Sequence, residues 1–103
     1  MGKREWKTRL AGVTFAGRQE NIEHHARNNS IYKLIREPHN RFDINAIMVT
    51  ANGREIGYIP KHLADELAPL IDAGVMLKVH FLRKLIDDKA VKPTGMLVRI
   101  WEA

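Results

Sequence analysis

Three aromatic side chains, Phe15, Phe42 and Tyr58, stand close in sequence to three cations, Arg18, Arg41 and Lys61. A single nucleic-acid strand calls for that pairing of residue types. An unpaired base stacks on a ring for about 1–3 kcal/mol, and a cation beside it neutralises a phosphate. Each ring also has a plainer reading. Tyr58 follows Gly57 in a strand-like run and could equally be core, and Phe42 either plugs back into the interior or waits for a flat partner. Phe42 lies in the densest stretch of the chain, Arg36 to Ile47, a loop of turn formers, cations and one carboxylate between two apolar runs. Pro38 fixes its own φ and pushes Glu37 toward extended geometry, while Asp43 and Asn45 can bond nearby backbone and close the loop.

Other chemistries lack their parts. The five histidines, His24, His25, His39, His62 and His80, show no ligand spacing, so no metal or other cofactor is expected. Asp65-Glu66 and Asp87-Asp88 are adjacent acids that point apart, and the chain has no P-loop, G-x-G-x-x-G or nucleophile elbow. The absence of cysteine removes disulfides, thiolate zinc sites and thiol nucleophiles. Seventeen Lys and Arg against twelve Asp and Glu give a net charge of +5, which suits an anionic partner or simply solubility. No stretch approaches the roughly 18 apolar residues of a membrane span, and Gly2-Lys3-Arg4 leads to no apolar signal core. The expectation is a cytoplasmic monomer with no membrane contact.

Positioning these residues requires a scaffold of short strands. Arg9 to Phe15 reads as a strand with Gly12 as a bulge, and Arg18 to Asn29 as a short surface helix through Ile22 and Ala26. Ile31 to Ile35 and Ala46 to Thr50 read as strands on either side of the loop. Asn52-Gly53 is a hairpin signal, because a type I′ turn needs positive φ at both central residues, and it makes Arg54 to Ile59 the next strand. Pro60 opens a helix over 61–73 that Gly74 caps, with Pro69 a bend or early end. Val75 to Ile86 and the run through Met96, Val98 and Ile100 alternate as strands around a charged loop, Asp87 to Thr94. The pattern predicts one domain over 1–103, mostly β with two helices, as a small, mostly antiparallel six-stranded barrel. Residues 1–7 are the segment expected to be loose, unless Trp6 ties it down.

Three separated blocks, Gly12 to Gln19, Leu34 to Ile47 and Gly53 to Lys61, resemble the HIRAN domain in order and spacing, within a match running from Leu10 to Ile100. HIRAN domains occur alone in bacteria and phages and, in eukaryotes, at the front of a protein that remodels stalled replication forks. The resemblance implies a modified OB-like barrel, here in stand-alone form, that captures the free 3′ end of single-stranded DNA. By that likeness Phe15 and Phe42 hold the terminal base and Asp43 accepts a hydrogen bond from the 3′-hydroxyl. A carboxylate repels a phosphate and welcomes a hydroxyl, so it can tell a free end from a continuing chain. Lys61 meets the last phosphate, Tyr58 turns toward the backbone, and Arg18 is a second phosphate contact.

The chain departs from the family pattern in three places. Arg41 replaces a proline often found before the aromatic-acid pair, and Thr14 replaces a basic residue. The last hairpin offers Lys89, Lys92 and Pro93 where a relative stacks an aromatic on the next base. The resulting expectation is a non-enzymatic module for single-stranded DNA 3′ ends in DNA repair or fork processing, with helicase or nuclease proteins as partners. Its rival is a protein-interaction adaptor that takes an extended peptide at the same rim. A third reading, a nuclease subunit completed by a partner's metal site, lacks converging acids.

Overall fold

The computed structural model describes residues 3–85 and 95–103. Its elements run β1 (Glu5–Arg9), α1 (Arg18–His25), β2 (Tyr32–Arg36), β3 (Ile47–Ala51), β4 (Arg54–Tyr58), α2 (Lys61–Asp72), β5 (Leu77–Leu85) and β6 (Gly95–Glu102). Six strands and two helices were expected, and all strand pairs are antiparallel. They form two three-stranded sheets, β1-β6-β5 and β2-β3-β4. The barrel is not closed: β2 and β5 lie side by side, but among the described residues no ladder joins them.

Alternation built the faces as the sequence implied. Met96, Val98 and Ile100 of β6 are fully buried, while Leu97, Arg99 and Trp101 between them are half-buried. In β2, Tyr32 and Leu34 turn inward, while Ile31 just before the strand and its residues Lys33 and Ile35 are exposed. All five residues of β3 are buried, as befits the central strand of its sheet. At the Asn52-Gly53 turn φ is 50° and 82°, the positive pair that a type I′ hairpin needs. Helix α2 buries Leu63, Ala64, Leu67 and Ala68 and ends where Gly74, at φ 90°, donates its N–H to the Ile71 carbonyl. Pro69 does not end that helix, which runs on to Asp72. Helix α1 stops at His25, short of the expected Asn29, because the Ser30 hydroxyl takes the His25 carbonyl at 2.5 Å.

The first strand lies elsewhere than expected. Arg9 to Phe15 is not a strand; β1 precedes it, with Trp6 packed against the core and donating to Glu66 at 3.2 Å. Part of the segment read as loose is therefore paired with β6. After β1 the chain crosses between sheets. Leu10 donates to the Met96 carbonyl at 3.0 Å, and Ala11 and Tyr58 exchange two backbone bonds, of 2.7 and 2.8 Å. Gly12, at φ 65°, then turns the chain into a loop that ends at Gly17, φ 73°. The loop Asp87 to Thr94, with Lys89, Lys92 and Pro93, and residue Ile86 lie outside the described residues.

The crossing depends on a missing side chain. Gly57 has φ 157°, and a Cβ there would meet the Ala11 carbonyl oxygen at 2.9 Å. Gly57→Ala should therefore destabilise the fold by about 1–3 kcal/mol, a drop in Tm of at least about 5 °C by thermal denaturation. Gly95→Ala, whose added carbon meets only Leu85 at 3.7 Å, should move it little. Equal melting of the two variants would contradict the account of the crossing.

Candidate nucleic-acid interface

The crossing brings the loop after β1, the end of β4, the start of α2 and the loop between β2 and β3 to one place. Together they line a cleft of about 770 Å³ whose walls include all six residues singled out by sequence: Phe15, Arg18, Phe42, Asp43, Tyr58 and Lys61. Phe42 is 88% exposed and Phe15 67%, so neither ring plugs the core. Phe15 sits on a turn rather than at a strand end. Its N–H reaches the Gly12 carbonyl at 3.4 Å, and its carbonyl accepts from Arg18 at 3.0 Å. Arg41 lies over Phe42, its guanidinium carbon 5.5 Å from the ring centroid.

Asn40 shapes the loop that carries Phe42 and Asp43. Its Oδ1 accepts from both the Phe42 and the Asp43 N–H groups, at 2.9 and 3.0 Å. Its Nδ2 donates to Glu37 Oε1 at 3.0 Å, and the same oxygen accepts the Tyr58 hydroxyl at 2.7 Å. A chain of side chains thus runs from β4 to the aromatic-acid pair. Burial, and then the bond to Glu37, push the Tyr58 hydroxyl above the ordinary tyrosine range, so it stays protonated and keeps its hydrogen directed at Glu37.

Asp43 is half-buried, its side chain 20% exposed. Its Oδ1 accepts the Asn45 N–H at 2.9 Å and lies 3.8 Å from Lys61 Nζ, while Oδ2 has no partner among the described residues. Asp43 bonds local backbone as its residue type suggested, but the Asn45 side chain reaches across to Asp65 of α2 at 3.1 Å. Lys61 is 73% exposed and shared between Asp43 and Asp65, an arrangement worth at most about 1 kcal/mol at a surface. A phosphate can draw it away.

Arg18 behaves differently from the other cations. Its side chain is 11% exposed, NH1 donates to the Gly12 carbonyl at 2.8 Å, and the guanidinium lies 5.1 Å from the Tyr58 ring centroid. That geometry holds the Gly12 turn against β4 and leaves little of Arg18 for a ligand. Arg36 fixes the far end of the loop, donating to the Ile44 carbonyl at 2.7 Å and gripping Asp72 with two nitrogens at 3.0 and 3.1 Å. Sequence reading passed over Glu37, Asn40 and Arg36 as organisers. The visible signal was Asn40 two and three residues before the pair it caps, the spacing of an Asx turn.

A family model, the HIRAN domain, matches residues 7–100. Over 46 residues, 44% of this chain, the sequence is 48% identical to the helicase-like transcription factor of Oryctolagus cuniculus, and the matched stretch is 5% of that protein. A crystal structure of a protein from Lactobacillus plantarum superposes with a TM-score of 0.71 at 20% identity, covering 98% of this chain and 97% of that one. The NMR structure of the HLTF HIRAN domain in its DNA-bound conformation gives 0.60 at 25% identity, covering 94% of this chain and 74% of the other.

Removing the Asn40 side chain should loosen the loop without unfolding the domain. Asn40→Ala leaves two N–H groups uncapped, a cost of about 1–2 kcal/mol. Amide hydrogen exchange at Phe42 and Asp43 should accelerate at least tenfold in that variant and approach the rate of unprotected amides, while Val49 and Val98 stay strongly protected. Unaltered exchange at the two capped amides would show that Asn40 does not organise the loop.

Proposed function

This chain belongs to the HIRAN domain family, and on that premise we propose that it binds DNA, its cleft capturing the free 3′-OH end of a single strand. The observation that carries the reading is one carboxylate oxygen, Asp43 Oδ2, left without a partner among the described residues in a cleft that two exposed rings, Phe15 and Phe42, also line. The terminal base lies against Phe15 and Phe42, and Asp43 accepts the hydrogen of the 3′-hydroxyl. A 3′-phosphate or a continuing strand puts negative charge against that carboxylate in a half-buried site, where repulsion is poorly screened.

Lys61, exposed and loosely paired, meets the last phosphate, and Arg41 stands beside it. Tyr58, its proton committed to Glu37, works as a wall and an acceptor rather than as a donor to phosphate. Arg18 supports the cleft from behind. The module binds rather than catalyses, and its role is in DNA repair or replication-fork processing beside helicase or nuclease proteins. The DNA-bound conformation of the HLTF HIRAN domain supports the reading.

Fluorescence anisotropy with matched oligonucleotides tests it. Wild type should prefer a 3′-OH end to a 3′-phosphate end by at least tenfold, and Asp43→Ala should erase the preference while leaving weaker, salt-sensitive binding. Equal binding of both ends, or of linear and circular strands, by wild type would refute end capture.

A further inference from the structure

Away from the cleft, charge concentrates on the outward face of the sheet β1-β6-β5. Residues paired across an antiparallel ladder share a face. Their neighbours Met96, Val98 and Ile100 fill the opposite, buried face. Nearest the cleft stand Arg9 and Arg83, both opposite Leu97 in register; next come Lys7 and Arg99; farthest are Lys78 and Trp101. Among the described residues, five cations thus share this face with one carboxylate, Glu5, which Arg99 already holds at 2.9 Å. A face charged only for solubility mixes its signs. On the other sheet the exposed charges are of both signs, with Lys33 on β2 and Glu55 on β4.

Position connects this face to the cleft. Arg9 precedes Ala11 of the cleft wall by two residues, and from there β1 runs about 13 Å to Glu5 at the usual strand rise. At the far end Trp101, Lys78, Lys33 and Tyr32 line a second cleft of about 550 Å³, and Arg99 lies 4.4 Å from the Trp101 ring centroid. A row of exposed cations ending at a ring is what the backbone of a single strand tracks.

We propose that this sheet face is a second nucleic-acid contact surface, along which the sugar-phosphate backbone of a strand held at its 3′ end continues toward Trp101. The proposal rests on the end-capture reading for where the strand begins. The cleft would supply end specificity, and the sheet face would supply length-dependent, salt-sensitive affinity.

The test compares a trinucleotide with linear and circular 30-nucleotide strands, in wild type and in Lys7→Gln/Arg9→Gln/Lys78→Gln. Arg99 is left in place because it holds Glu5 and Trp101. Wild type should bind the linear 30-mer at least tenfold tighter than the trinucleotide at 50 mM salt. The triple variant, melting as wild type does, should lose that gain, keep trinucleotide affinity within about twofold, and show a log K against log salt slope shallower by about 2, from roughly 0.7 per phosphate contact. Lys78→Gln/Arg83→Gln repeats the test from the opposite edge of the sheet.

Equal wild-type affinity for trinucleotide and 30-mer overturns the proposal, as does a variant that weakens both ligands alike. Circular and linear 30-mers bound equally by wild type, and both weakened by the triple variant, would sustain the sheet surface while removing end capture.

Discussion

Two backbone hydrogen bonds between Ala11 and Tyr58 hold the arrangement together. The two sheets share no ladder among the described residues, so their relative placement depends on side-chain packing and on this crossing, where Leu10 bonds β6 and Ala11 bonds β4. The pairing is possible only because Gly57 brings no Cβ toward the Ala11 carbonyl. The same bonds set the distance between the Phe15 turn and the Tyr58 ring, and Arg18 fills the space between them. The geometry of the cleft therefore follows from how the fold is stitched, and only secondarily from the residues that face a ligand.

Electrostatics divides the cations of the region into two kinds. Arg18 and Arg36, with side chains 11% and 14% exposed, direct their nitrogens at backbone carbonyls and carboxylates of the protein itself. Planar, permanently charged guanidinium groups suit that work, since several fixed donors can be satisfied at once in a partly buried site. Lys61 and Arg41 remain exposed in the lining of the cleft that also holds Asp43. Asp43 sits in a chain of net charge +5 yet keeps an oxygen free, because its nearest cation is an exposed lysine 3.8 Å away rather than a bidentate arginine. An arginine clamp there would have filled both oxygens.

Local rules made much of this readable in advance. Asn52-Gly53, the Pro60 to Gly74 helix and the alternation in β6 each carry their instruction within a few residues, and each formed as expected. β1 was hidden because its only large apolar residue is Trp6, and its inward partner Thr8 gives little alternation to see. The run from Arg9 to Phe15 looked like a strand by composition, but Gly12 and Gly17 both take positive φ and turn it into a loop. Whether the sheets close could not be read at all, since alternation fixes which face a residue occupies and says nothing about which strand lies beside it. The types of the cleft residues were legible, while the bond joining Tyr58 to Glu37 spans 21 residues of chain and depends on the finished fold.

The placement of Phe15 and Phe42 runs against the stability of a small domain. In 103 residues apolar burial is scarce, and sinking either ring would contribute about 1.5–3 kcal/mol. Instead both stand in solvent, one on a turn that needs left-handed glycines at its ends and the other on a loop whose amides Asn40 caps. Such departures from the stabilising rule, supported by several specific bonds, concentrate where a surface is made for a partner. Because the loops are already bonded in the free protein, a flat ligand entering between the rings would lose little further freedom from the protein side, and more of the stacking energy would appear as affinity. An exposed ring on an unbonded loop would offer the same contact area at a larger entropic cost. On the proposed function the Asn40 network would therefore bear on binding as directly as the Phe42 ring whose loop it caps.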